Sequence, residues 1–119
     1  MFHTTFYLRR LHSIVGLLVL GGVIFEHIFT NSMALGGPKA LNGALAMMEL
    51  IPHPIFLGIE IGAIAVPLLF HALYGIYICL QANNNPGRMG YIRNWQFAFQ
   101  RWTAWFLVVF LIWHVFYLR

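Results

Sequence analysis

Three long apolar stretches dominate the pattern of hydrophobic and polar positions. They cover about residues 13–30, 55–81 and 98–118. A helix rises about 1.5 Å per residue, so about 20 residues cross roughly 30 Å of hydrocarbon, and each stretch approaches or exceeds that length. The pattern therefore predicts an all-α integral membrane helical bundle with three transmembrane helices, forming a single membrane-anchor domain over residues 1–119.

The connection between the first two stretches, residues 31–54, contains a fourth predicted helix. It opens on the turn residues Gly36, Gly37 and Pro38 and closes on prolines, and the residues between, 40–50, have helical composition. We expect an interfacial helix within this outer loop.

The second connection, residues 82–97, begins with the breaker cluster Asn83, Asn84, Asn85, Pro86 and Gly87. Such a cluster ends a helix. The residues that follow are aromatic and basic, which is typical of a segment at the level of the lipid headgroups.

Composition supports a membrane protein. Of the 119 residues, 61% are hydrophobic and only 8% are charged, a balance that soluble globular domains do not show. The first stretch is too long for the core of a signal peptide and contains Glu26, so we expect a retained helix. The single cysteine excludes an internal disulfide and a Cys-x-x-Cys-His haem attachment site.

The basic residues predict the orientation. One side of the predicted membrane carries five of them and the other side carries two: Arg9, Arg10, Arg88, Arg93 and Arg101, against Lys39 and Arg119. By the positive-inside rule the N-terminus and the loop at residues 82–97 are cytoplasmic. The net charge of +4 is thus a topology signal, and we expect no nucleic-acid partner.

Each apolar stretch carries one histidine: His27, His71 and His114. Imidazole is costly in hydrocarbon, so one per helix indicates ligands gathered at an interior site, with haem iron as the leading candidate. The alternative is that these side chains form hydrogen bonds between helices.

Depth decides which histidines can share an iron. His27 lies 17 residues beyond Arg10 and His114 lies 13 beyond Arg101, which places them roughly 25 Å and 20 Å from the cytoplasmic side. These two can be the axial ligands of one haem near the outer face. His71 is 10 residues before Gln81, roughly 15 Å from the cytoplasmic side, and these 119 residues offer it no partner at that depth.

Two glycines fit close approach of a flat macrocycle. Gly16 lies 11 residues before His27, on almost the same helix face, and Gly75 follows His71 by one turn. A missing side chain also serves ordinary contacts between helices, and both interpretations stay open.

A family resemblance rests on five strings: FYLRRLHS (6–13), EHIFTN (26–31), PLLFHALYGIYI (67–78), YIRNWQFAFQR (91–101) and WHVF (113–116). Together they resemble the cytochrome b558 membrane anchors of succinate:quinone oxidoreductase, of the type with one anchor subunit and two haems. The resemblance runs from about Phe6 to Arg119 and is weakest in the outer loop.

The resemblance implies a ligand set. His27 and His114 map to the ligands of the distal haem, in agreement with their depth, and His71 maps to one ligand of the proximal haem. In the family the second proximal ligand lies on a later helix, within a bundle of five. We expect that this sequence is part of a longer chain; a separate chain that completes the bundle, or a single haem, are the alternatives.

The resemblance also implies the function. Such an anchor is not catalytic alone; it passes electrons between an iron–sulfur subunit and membrane quinone, while a flavoprotein subunit oxidises succinate or, in reverse, reduces fumarate. It implies haem b with two histidine ligands, menaquinone as the quinone, and the bacterial cytoplasmic membrane as the location. Arg88 and Arg93 face the iron–sulfur subunit or the lipid headgroups.

Further site residues are expected on both sides of the predicted membrane. Ser13, His12 and Arg101 lie at cytoplasmic helix ends, where they can bind propionates of the lower haem. On the outer side Glu49 is the first candidate for a proton carrier at a quinone site, as in related dihaem fumarate reductases, or else a solvated loop charge. Glu60, 11 residues before His71, is the second.

Two other functions remain open. One is a b-type anchor of a different quinol-linked dehydrogenase, such as a hydrogenase or formate dehydrogenase. The other is a haem-free membrane subunit, structural or transporting, whose histidines are buried without a metal. The string YIRNWQFAFQR favours the succinate family.

Overall fold

The computed structural model describes residues 2–83 and 86–118, and all regular structure in them is helical. The α-helices are α1 (Phe2–Ile14), α2 (Gly21–Ser32), α3 (Pro38–Glu49), α4 (His53–Ile59), α5 (Val66–Leu80) and α6 (Ile92–Leu118). Asn84 and Asn85 of the breaker cluster and Arg119 of the charge count lie outside the described residues.

The first membrane-length helix is longer than predicted. α1 continues through a π-helical turn, Val15–Leu20, into α2 and a short 3₁₀ turn, Met33–Gly36. It begins at Phe2 rather than near residue 13, because hydropathy marks only the part that crosses lipid. Residues 2–12 include polar side chains but no glycine or proline that would interrupt the helix.

The connection between the first two membrane-length helices contains the predicted helix. α3 follows Gly37, whose φ of 89° turns the chain, and Pro38 occupies its first turn, where a missing N–H costs nothing. Whether α3 lies in the membrane interface stays a prediction.

The second membrane-length helix contains another π-helical turn, Glu60–Ala65, between α4 and α5. Here the Val66 N–H donates to the carbonyl of Ile61, five residues back. Pro67 follows immediately and has no N–H to donate, so this is where a regular α-helical ladder would be interrupted. The turn at Glu60–Ala65 packs against the turn at Val15–Leu20.

The third membrane-length helix, α6, begins at Ile92, six residues before the predicted start. The backbone N–H groups of Asn94 and Trp95 donate to the Tyr91 carbonyl, and the Asn94 side chain donates to the Met89 carbonyl at 2.7 Å. These bonds start the helix soon after Gly90. The connection between the second and third membrane-length helices is correspondingly shorter than residues 82–97.

Three helices of the described residues are long and apolar enough to cross a membrane: Thr5–Gly36, His53–Leu80 and Ile92–Leu118. The predicted fold class, an all-α protein with three such helices, is confirmed. Most large apolar side chains are exposed, as expected where lipid solvates them. The chain divides into two compact units, Met1–Tyr74 and Gly75–Arg119, and each is described by itself; a single anchor domain stays a prediction.

Candidate functional site

His12 and His71 form a reciprocal pair in the first unit. Their rings are parallel, with centroids 4.0 Å apart and an interplanar angle of 4°. His12 Nε2 donates to the His71 carbonyl and His71 Nδ1 donates to the His12 carbonyl, both at 3.1 Å. A carbonyl oxygen only accepts, so both of these ring nitrogens carry hydrogen.

The backbone of Gly16 lies close to the His71 ring. A Cβ built on Gly16 would lie 2.7 Å from Nδ1 and 3.1 Å from Nε2 of His71, and closer still to Cε1. The sequence pattern placed Gly16 on the face of His27, whereas its backbone approaches the imidazole of His71. Gly75 is half-buried in α5, one turn after His71.

The His71 surroundings fit a haem ligand. With Nδ1 protonated, a neutral imidazole has its lone pair on Nε2, which is the nitrogen then able to bind iron. Metal-binding histidines almost always donate their other ring N–H to a carbonyl, a carboxylate or water. His71 does so to the backbone of His12, and Gly16 leaves the space that the ring needs.

His27 lies towards the C-terminal end of the first membrane-length helix, Thr5–Gly36. It is exposed, although its position continues the spacing of the half-buried His12, Gly16 and Val23. The Asn31 side chain donates to the His27 carbonyl at 2.7 Å. The imidazole of His27 is thus exposed, whereas the earlier positions His12, Gly16 and Val23 in the same helix are half-buried.

His114 belongs to the second unit and lies on the shielded face of α6. Its ring stacks on Phe110, with centroids 5.5 Å apart. The least exposed positions of α6 recur every three or four residues: Asn94, Ala98, Arg101, Ala104, Val108, Leu111 and His114. His27 and His114 lie in different units, so their meeting at one iron stays a prediction.

The three candidates for propionate binding differ in their surroundings. Arg101 is buried, with its guanidinium 3.6 Å from the centre of the Phe97 ring. The Ser13 hydroxyl donates to the Arg9 carbonyl at 3.1 Å. His12 uses Nε2–H on the His71 carbonyl. A propionate role stays a prediction for all three.

A groove of about 530 Å³ lies where α3 meets α4. Its lining is mostly apolar and includes two ionisable side chains: Leu45, Met48, Glu49, Ile51, Pro52, His53 and Phe56. His53 was not singled out from the sequence, although its position between Pro52 and Pro54, four residues after Glu49, was the available signal.

Glu60 does not line this groove. It is half-buried at the start of the π-helical turn, and the shielded positions Ile64, Pro67 and His71 follow it at helical spacing. The π-helical turn Glu60–Ala65 lies between Glu60 and His71, so a shared helix face for these two residues stays a prediction.

In the described part of the chain, no three or more His, Cys, Asp or Glu side chains are grouped so that they could hold a metal ion. Haem iron requires only two protein ligands, because the porphyrin supplies the other four.

Comparison with known proteins identifies a relative. Over 110 residues the chain is 42% identical to the succinate dehydrogenase cytochrome b558 subunit of Bacillus subtilis (strain 168). The similarity covers 92% of this chain and 54% of the relative, so the chain spans about half of that protein's length. No protein-family model and no solved structure matches the chain. The predicted resemblance to cytochrome b558 anchors is confirmed.

Proposed function

We propose that this chain is a haem b-containing membrane anchor of succinate:quinone oxidoreductase, the respiratory complex II. The observation that carries the proposal is its 42% identity to a cytochrome b558 subunit across 92% of its length. At least one histidine in each of the three membrane-length helices supports it, since an ionisable residue within such a helix marks a functional site by default.

His27 and His114 supply the two ligands of the outer haem, and their similar depth supports the assignment. His71 supplies one ligand of a haem nearer the cytoplasm, and the other comes from a further helical segment or chain. These histidines would hold the iron between two imidazoles, and a haem bound in this way would supply single-electron transfer rather than oxygen activation.

The chain's own residues hold and orient these ligands. The His12 carbonyl fixes which nitrogen of His71 is protonated, and Gly16 leaves room for the ring. Arg101 supplies a buried positive charge at the cytoplasmic end of α6, suited to a carboxylate such as a haem propionate. Ser13 is the weaker candidate for the same propionates.

The groove between α3 and α4 is the proposed quinone site. An apolar lining with a few polar groups suits a hydrophobic ring that carries two oxygens. Glu49 and His53 both line it, and carboxylate and imidazole side chains are the usual groups that exchange a proton with a bound substrate. Glu60 is the next carboxylate along the chain and a candidate for proton transfer further into the membrane. Menaquinone is the quinone we expect.

The basic side of the chain faces the cytoplasm, where the iron–sulfur and flavoprotein subunits dock. Five arginines on that side support this orientation in the bacterial cytoplasmic membrane. Cysteine labelling tests it: an impermeant thiol reagent added to intact cells should modify Lys39→Cys and leave Arg88→Cys unmodified. The opposite pattern would invert the topology.

Purification of the complex through a tag on this chain tests the proposed function. The dithionite-reduced sample should show the α-band of b-type haem, one or two haems per polypeptide, and covalent flavin from the associated subunit. A complex with haem but another dehydrogenase would assign the chain to a different b-type anchor. A preparation without haem absorbance would contradict the proposal.

A further inference from the structure

We propose that His12 is a positioning residue for His71. Its side chain holds the His71 imidazole in the orientation that directs Nδ1–H to the His12 carbonyl and leaves Nε2 to bind iron. The inference rests on the proposed haem-binding role of His71. It assigns to His12 a task different from propionate binding.

The orientation of an imidazole is not fixed by its own helix. Rotation about the bond between Cβ and the ring is soft and roughly two-fold, and a half-turn exchanges Nδ1 with a carbon. In the described structure three contacts limit this rotation. They are the hydrogen bond to the His12 carbonyl, the parallel His12 ring at 4.0 Å, and the Gly16 backbone.

His12 supplies two of these three contacts, through its carbonyl and its ring. It also makes one further hydrogen bond, to the backbone of His71. The His12 side chain donates Nε2–H to the carbonyl of His71, so α1 and α5 are joined at the level of the proposed ligand in both directions. The His12 ring also reaches Tyr74, with centroids 5.7 Å apart. One residue thus contacts the ligand's ring, its backbone and the helix turn that follows.

The geometry favours positioning over propionate binding for His12. Its Nε2–H already donates to the His71 carbonyl. The His12 ring is stacked face to face on the His71 ring. Arg101, which is buried and permanently charged, is better suited to an anionic propionate.

The first test compares His12→Ala with His12→Phe in the full-length protein within its membrane complex. The matched control is Leu11→Ala, an exposed position of the same helix. The readout is the low-spin EPR signal of each haem, which depends on the orientation of the axial imidazole planes, together with each midpoint potential. We expect His12→Ala to shift the signal of the His71 haem, leaving the His27 and His114 haem unchanged. His12→Phe, which keeps a flat ring, should shift it less.

Unchanged signals in His12→Ala would overturn the proposal, and so would a shift confined to the other haem. If His12→Ala does not accumulate, His12→Phe decides alone, because it lacks the Nε2–H donor: a shift supports positioning and an unchanged signal overturns it.

A second readout does not require haem. In ¹⁵N-histidine-labelled full-length protein without haem, NMR should show His71 as the Nδ1–H tautomer, identified by its loss in His71→Gln. In His12→Ala we expect a mixture of tautomers. A pure Nδ1–H signal in that variant would overturn the proposal. If instead the unsubstituted protein never carries haem, the proposed function fails while this measurement still reports on His12.

Discussion

The backbone of Gly16 lies directly against the imidazole of His71. A Cβ on residue 16 would come within 2.7 Å of Nδ1, which is closer than real Cβ atoms approach. The two residues are 55 positions apart and belong to different helices. A Cβ at position 16 is therefore incompatible with the present position of the His71 ring, which is the ring of a proposed iron ligand.

Gly16→Ala should weaken the complex selectively at this haem. Forcing an extra carbon against the ring costs about 1–3 kcal/mol in typical overpacked sites, and the imidazole must move to relieve it. The matched control is Gly22→Ala, because a Cβ there meets no atom within 4 Å. Thermal loss of haem absorbance measures the effect: we expect a lower midpoint for Gly16→Ala alone. Equal midpoints would show that the space beside His71 is not needed.

Glu49→Gln and His53→Gln should slow quinone reduction without removing haem. Both side chains line the groove between α3 and α4, and a positioned acid or base typically contributes about 100-fold or more to a proton-coupled step. Lys39→Gln, also on α3 but outside the groove lining, is the control. The measurement is the ratio of succinate-driven quinone reduction to reduction of a water-soluble dye that bypasses the anchor. An unchanged ratio in both variants would place the quinone elsewhere.

Arg101→Gln should destabilise the protein more than Arg93→Gln. Arg101 is buried against the Phe97 ring, whereas Arg93 is exposed. A desolvated contact between a cation and an aromatic ring is worth about 2 kcal/mol. Thermal unfolding in detergent checks the difference, and Phe97→Leu should reproduce part of the loss. If the Arg101→Gln and Arg93→Gln proteins unfold at the same temperature, the contact between Arg101 and the Phe97 ring makes no measurable contribution to stability.

Hydropathy predicted three apolar helices of membrane-crossing length because lipid selects for apolar length, and the structure contains three helices of that length and composition. It could not predict where α1 and α6 begin. Residues 2–12 and 92–97 are helical but too polar or too aromatic to register as a membrane span. Hydrogen bonding continues a helix beyond the lipid until a breaker ends it.

The site was only partly predictable for a different reason. The three histidines stood out individually because each is a polar residue in an apolar run. The partnership of His12 with Gly16 and His71 depends on contact between helices 55 or more residues apart in sequence, and helical periodicity carries no information on such pairs. The two π-helical turns that pack together have no composition signal either, apart from Pro67.

Haem stoichiometry in His27→Leu and His114→Leu tests the central claim most directly. Membranes of each variant, of the double variant and of the control His53→Leu would be compared by reduced-minus-oxidised spectra and by haem content per polypeptide. We predict that either single change removes the same b-type centre, that the double change removes no more, and that the control retains all haem. A spectrum that survives both replacements unaltered would contradict the assignment of His27 and His114 to one iron.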